Sequence, residues 1–248
     1  MHKSPDVPRI DAGPATVHWG FFDAKLPPIL TIGSGERVTM SSVSGSPEML
    51  PPPPFKIPSA LPAIHAANGP QQFFGHMCTG PVAVRGAKAG QVLQVDIETI
   101  DLHYDWGYNV IRPLAGALPD DFPEYRPIYI TLDQARMTGR LPWGQDIPLR
   151  PFFGVMAVAP PVSWGRIPTP PPRRNGGNMD NKELSPARFC ICLFSPTVRC
   201  SPWATGMARR AMAKSASPRS KPGSLARFGS PSATICGWNG HLPKRPRT

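Results

Sequence analysis

Past Leu184 the sequence contains no acidic residue, although residues 185–248 carry eleven Lys and Arg. Up to Leu184 the signs balance, sixteen Lys and Arg against sixteen Asp and Glu, so the whole net charge of +11 resides in the last quarter. Cysteine is also scarce where a fold would need it: the first 184 residues hold only Cys78, while Cys190, Cys192, Cys200 and Cys236 fall in the tail. A single cysteine excludes a disulfide framework in the body and agrees with a reducing compartment. No run of about 18 apolar residues occurs, which argues against a membrane-spanning helix. Met1-His2-Lys3-Ser4-Pro5-Asp6 lacks the apolar core of a secretory signal. The expected location is the cytoplasm.

What the sequence has in excess is proline, 35 residues of 248, far above the average share of about 5%. Proline removes a backbone donor and breaks helix interiors, so a long helical bundle is excluded. Short strands joined by Pro and Gly turns fit better. Residues 1–184 suffice to bury a core of their own. Strand-like runs include Thr16-Val17-His18-Trp19, Ile29-Leu30-Thr31-Ile32, Glu36-Arg37-Val38-Thr39-Met40, Ile128 to Leu132 and Phe152 to Val158. The clearest follows the turn Ala87-Lys88-Ala89-Gly90: Leu93, Val95 and Ile97 alternate with Gln94, Asp96 and Glu98, the period of two of a half-buried strand. After Thr99 the phase slips to Ile100 and Leu102, which predicts a bulge. Pro51-Pro52-Pro53-Pro54 predicts an extended connection. The body therefore reads as all-β.

Four stretches, taken in order, resemble the acetamidase/formamidase family of amide hydrolases: Val17-His18-Trp19-Gly20-Phe21-Phe22-Asp23; Gly75-His76-Met77-Cys78-Thr79-Gly80-Pro81-Val82-Ala83-Val84-Arg85-Gly86-Ala87; Asp105-Trp106-Gly107-Tyr108-Asn109; and Gly176-Gly177-Asn178-Met179-Asp180-Asn181-Lys182-Glu183-Leu184. The last is the most specific, being a long polar run without repeats. The resemblance implies a cytoplasmic β-sandwich that acts on carbon-nitrogen bonds other than peptide bonds. It would hydrolyse small linear amides such as formamide and acetamide to carboxylate and ammonia, with a divalent metal, zinc or calcium, and would form a homo-oligomer when intact.

Amide hydrolysis needs an activated water, a group that polarises the carbonyl, and an acid for the leaving nitrogen. His76, in a Gly-rich turn before a strand-like run, suits a metal ligand or a proton carrier; the plainer reading is a turn histidine bonded to a backbone carbonyl. Asp180 and Glu183 would supply catalytic carboxylates, with Asp180 joining His76 as a metal ligand and Asn178 orienting substrate. The same residues also suit a polar turn whose side chains bond their own backbone. His18 and His103 lie in strand-like runs and have weaker claims. Asp96 and Glu98 form the wet face of their strand.

In the family this resembles, the string ending at Leu184 is followed by strands and a second motif, Gly-Asp-Gly-His, a few small or polar residues, then Gly-Asp-Gly-Glu. Nothing of the kind follows Leu184 here. The neighbouring frame supplies it. If each new codon takes the last base of one residue and the first two of the next, Trp203-Ala204, Met207-Ala208 and Met212-Ala213 must each give Gly, whatever codons are used. The pairs between them permit Val-Gly-Asp-Gly-His-Gly-Ala-Gln-Gly-Asp-Gly-Glu-Val. A base lost or gained near Leu184-Ser185 would thus explain both the missing motif and the missing acids.

On this reading residues 1–184 are a truncated sandwich domain, incomplete in its sheets, and residues 185–248 are an out-of-frame, disordered basic tail. The chain as written is expected to be inactive. A competing reading takes the tail as a nucleic-acid or membrane-surface arm, with Arg209-Arg210, Lys214, Arg219, Lys221 and Lys244-Arg245-Pro246-Arg247 neutralising phosphates. Out-of-frame translation of a GC-rich gene gives the same bias, so nucleic acid is not the expected partner. Nor do Cys190, Cys192, Cys200 and Cys236 have the paired spacing of a zinc site. A non-catalytic sandwich that binds carbohydrate or serves as a scaffold is the remaining alternative.

Overall fold

The computed structural model describes residues 7–69, 74–115, 118, 120–193, 210–215, 227–228 and 231–236. Its elements are overwhelmingly strands, as the proline content and the alternating runs require. One sheet has the order Arg9–Ile10, Val38–Ser41, Pro231–Cys236, Val92–Ile97, Arg188–Leu193, with Asp101–Leu102 also on Pro231–Cys236. The other runs Gly176–Asn178, Asp146–Ala157, Thr138–Arg140, Arg126–Asp133, Trp106–Ile111, Arg227–Phe228, and Arg210–Ser215 pairs with Asp146–Ala157. Three two-stranded ladders complete the set, among them Val17–Trp19 against Met77–Thr79 and Ile167–Pro168 against Phe21–Phe22.

The sheets share one core. Val38, Met40, Leu93, Val95 and Ile97 from the first meet Phe153 and Met156 from the second, all buried. Along Val92–Ile97 burial alternates as the sequence predicts. The phase slip after Thr99 is a bulge between two strand segments: Val92–Ile97 and Asp101–Leu102 both pair with Pro231–Cys236, and the four steps from Ile97 to Asp101 face three from Ile235 to Ser232. Glu98 stays on the wet side and pairs with Arg37 at 3.0 Å. The proline run is irregular chain with a turn at Pro53-Pro54.

One element departs from the all-strand pattern, the helix Ala60–Asn68. Its Leu61 and Ile64 are fully buried against Val17, Trp19, Val43 and Met77. Their spacing of three residues places both on one face, and tertiary burial makes a helix of this length stable where local preference alone would not.

Four segments past Leu184 are among the described residues. Arg188–Leu193, Arg210–Ser215, Arg227–Phe228 and Pro231–Cys236 are strands paired to the body. The physical reason is that a sheet edge pairs through backbone N–H and C=O, which every sequence but proline offers. These segments add strands to both sheets without needing acidic residues or apolar periodicity, and one of them, Pro231–Cys236, lies between two body strands. Arg209, Arg219, Lys221, Cys200 and Lys244 to Arg247 lie outside the described residues.

Candidate functional site

His76 sits where three sequence-remote segments converge. Its peptide carbonyl accepts the N–H of Gly20 at 2.9 Å, and Thr169 in turn donates its N–H to the Gly20 carbonyl at 3.0 Å. The Thr169 hydroxyl accepts the backbone N–H of His76 at 2.8 Å and shares a second bond with the ring Nδ1 at 3.0 Å. Trp19 adds an indole bond, Nε1–H to the Gly75 carbonyl at 3.2 Å. His76 and Thr169 are both buried. The arrangement needs glycine at position 75: a Cβ there would lie 2.3 Å from Thr169 Oγ1 and 3.0 Å from the Gly20 backbone. So the imidazole is held in one orientation by a side chain more than ninety positions away, which is far more than a turn histidine requires.

His76 lines a cavity of about 140 Å³ together with Trp19, Ser44, Glu48, Met49 and Tyr108. The wall formed by the 43–50 loop is pinned at two points. His65 Nε2 bonds the Gly45 carbonyl at 2.9 Å and Tyr129 donates its hydroxyl to the Leu50 carbonyl at 3.1 Å, while Trp106 Nε1–H holds the chain beyond it at the Lys56 carbonyl, 2.9 Å away. Apolar walls with a few fixed polar groups are the usual make-up of a small-molecule site.

The Gly176 to Leu184 string begins against the strand Asp146–Ala157, with Gly176–Asn178 paired to Val155 through Ala157. Gly177 approaches the backbone that follows Thr169, so that a Cβ on it would stand 3.2 Å from the Pro171 carbonyl oxygen and 3.7 Å from that of Thr169. Asn178 pairs with Val155, and Asp180, at φ 46°, donates its backbone N–H to the Gly154 carbonyl at 3.0 Å. Asn178 Nδ2 reaches Asp180 Oδ2 at 3.4 Å. Asn178 Oδ1 and Asp180 Oδ1 are buried without a hydrogen-bond partner among the described residues. Two such acceptors seek a donor or a cation, since a buried oxygen left unpaired costs on the order of 1–3 kcal/mol. Glu183, by contrast, is exposed and donates its backbone N–H to Asn181 Oδ1 at 3.0 Å, within the polar turn. The structure thus holds His76 against Thr169, places Gly177 beside the backbone of the segment from Thr169 to Pro172, and leaves Glu183 on the surface.

Among the described residues no three or more His, Cys, Asp or Glu side chains gather as a metal would require. The oxygens of Asn178 and Asp180 fit part of a coordination sphere and do not complete one.

His18 packs against Phe21 with ring centroids 5.3 Å apart and the rings tilted by 51°. Burial is the main reason its pKa falls to about 4, helped by the nearby Arg166 and opposed by a Gly80 backbone bond and by Asp23. It is therefore a neutral structural histidine. Thr169, Ser44 and Tyr108 were not singled out by the sequence, because a hydroxyl residue in a loop or strand carries no distinguishing pattern.

Residues 71–164 match the sequence profile of the Acetamidase/Formamidase family. No curated protein matches the chain. Among solved structures, the chain is similar to an acetamidase from Bacillus halodurans, with a TM-score of 0.66 and 20% identity over 93% of this chain and 71% of that one. A predicted acetamidase/formamidase from Thermoanaerobacter tengcongensis gives a TM-score of 0.68 at 18% identity, covering 93% and 69%. An acetamidase from Yersinia enterocolitica gives 0.67 at 19%, covering 97% and 71%. At these identities the likeness shows the fold, and the similarity to the Acetamidase/Formamidase profile is confined to residues 71–164.

Proposed function

We propose that this sandwich is built to hydrolyse the carbon-nitrogen bond of small linear amides, giving a carboxylate and ammonia. The observation that carries the reading is His76, a buried imidazole fixed by Thr169 in the wall of a small cavity. In this role His76 takes a proton from the attacking water and passes it to the leaving nitrogen, which departs as ammonia. The match of residues 71–164 to the Acetamidase/Formamidase profile supports an amide as the substrate class, and formamide and acetamide are the proposed substrates. A zinc or calcium ion, when bound, would polarise the carbonyl or the water. Asn178 and Asp180 are the residues here that would help to hold it, and because the described residues supply no complete ligand set, no step is derived through it.

The same reading includes a change of frame near Leu184, supported by the absence of acids after it and by the three glycines that the neighbouring frame must encode. On that basis the chain as written has little or no turnover. Ammonia release from formamide and acetamide, measured on this chain and on one with the frame restored after codon 184, tests both parts. Release by the restored chain alone is expected. Release by neither would sink the hydrolase reading, and coding DNA in which no single-base change restores the glycine-rich motif would sink the frame reading.

A further inference from the structure

The cavity beside His76 contains a hydroxyl pair that the histidine mechanism leaves without a task. Ser44 and Tyr108 both line it, both are buried, at 5% and 2% exposure, and their oxygens lie 3.3 Å apart. That separation is longer than the 2.7–2.8 Å typical of two hydroxyls, so neither is tightly committed to the other. Each hydroxyl carries one proton and can also accept. In the bond between them one proton is used. Among the described residues the second has no acceptor. A buried donor left over in this way is costly unless something in the cavity accepts from it.

We infer that Tyr108, backed by Ser44, donates its hydroxyl to the carbonyl oxygen of the ligand that occupies this cavity. The direction follows from acidity: the phenol is the stronger donor, and when it accepts from Ser44 its own O–H is polarised further. Tyr108 is also the more rigidly placed of the two. It sits on the strand Trp106–Ile111, its ring 6.1 Å from that of Trp106, which in turn stacks on Tyr104 at 5.2 Å. The 43–50 loop that carries Ser44 is tied down by the His65 and Tyr129 bonds already described. A donor held in place before the ligand arrives is what stabilises charge growing on a carbonyl oxygen, because nothing has to reorganise as the charge develops. The ligand class is a small molecule bearing a carbonyl acceptor. At about 140 Å³ the cavity is close to the roughly 150 Å³ that holds a benzene in an engineered core, room for a ligand of about six heavy atoms.

This assignment rests on the amide-hydrolase reading for the nature of the carbonyl, and a binding experiment separates the two. The probe is acetamide labelled with ¹³C at its carbonyl, added to the full chain and followed by NMR. The expected result is a saturable downfield shift of the carbonyl resonance in the unmodified chain. In Tyr108→Phe the shift should be lost and Kd should rise roughly five- to tenfold, the worth of one hydrogen bond. Ser44→Ala should keep the shift and weaken binding less. No binding, or binding without a shift in the unmodified chain, overturns the assignment, and that measurement does not depend on any variant folding. Unchanged shift and affinity in a folded Tyr108→Phe overturns it as well. A shift that Tyr108→Phe abolishes, in a frame-restored chain that releases no ammonia, upholds the donor and refutes hydrolysis. Ammonia release by a frame-restored Tyr108→Phe with kcat and KM unchanged does the reverse.

Discussion

Lowering the pH from 7 to 5 should destabilise this protein through His18. In the folded chain its pKa is about 4, against a reference of 6.5. A base whose folded pKa is depressed binds a proton more readily when unfolded. Its contribution is therefore fully present above pH 6.5, is lost as the pH falls, and levels off below 4. Linkage with these two values gives a loss of about 2 kcal/mol between pH 7 and pH 5. For a domain of this size that corresponds to roughly 4–8 °C in Tm. The groups around it set the sign: burial and Arg166 hold the ring neutral, while Asp23 and the Gly80 backbone bond oppose them. Urea unfolding at the two pH values, compared between the natural chain and His18→Gln, isolates the effect from carboxylates elsewhere. The natural chain should lose about 2 kcal/mol more than the variant. Parallel losses in both would refute the assignment of the pH dependence to His18.

Three further outcomes are expected. Gly176→Ala places a Cβ 2.3 Å from the Met156 carbonyl oxygen at a residue with φ +93°, so it should cost about 3 kcal/mol or more in urea unfolding. Thr169→Val keeps the shape but removes both bonds to His76; a loss of about 1–3 kcal/mol is expected, together with a changed imidazole NMR signal, and an unchanged signal would show that Thr169 does not orient the ring. Deleting residues 185–248 should raise light scattering at micromolar concentration, because the strands Val38–Ser41 and Val92–Ile97 both lose the partner between them.

The strands of the body were legible because alternation is a local property. Leu93, Val95 and Ile97 announce a half-buried strand on their own, and the structure gives them that burial. The helix Ala60–Asn68 was not legible: with a proline inside it and no acidic cap, it owes its existence to what Leu61 and Ile64 meet across the fold. At the site, His76 stood out because imidazole is rare and chemically distinctive. Thr169 and Tyr108 did not, since what marks them is convergence in space of positions 76, 108 and 169, which no spacing in the sequence encodes. Glu183 illustrates the opposite case, a carboxylate in a distinctive string that folding leaves exposed on a turn. The tail strands were missed because backbone pairing at an open edge asks almost nothing of side-chain pattern.

The strand Pro231–Cys236 stands in the interior of its sheet, between Val38–Ser41 and Val92–Ile97. During synthesis those two body strands emerge long before it does. With the chain growing at about 5–20 residues per second, they wait several seconds with their facing edges unpaired. The sheet closes only when Pro231–Cys236 has left the ribosome, so this half of the sandwich folds late. Its yield in the cell should therefore depend on holdase chaperones that cover those edges in the interval.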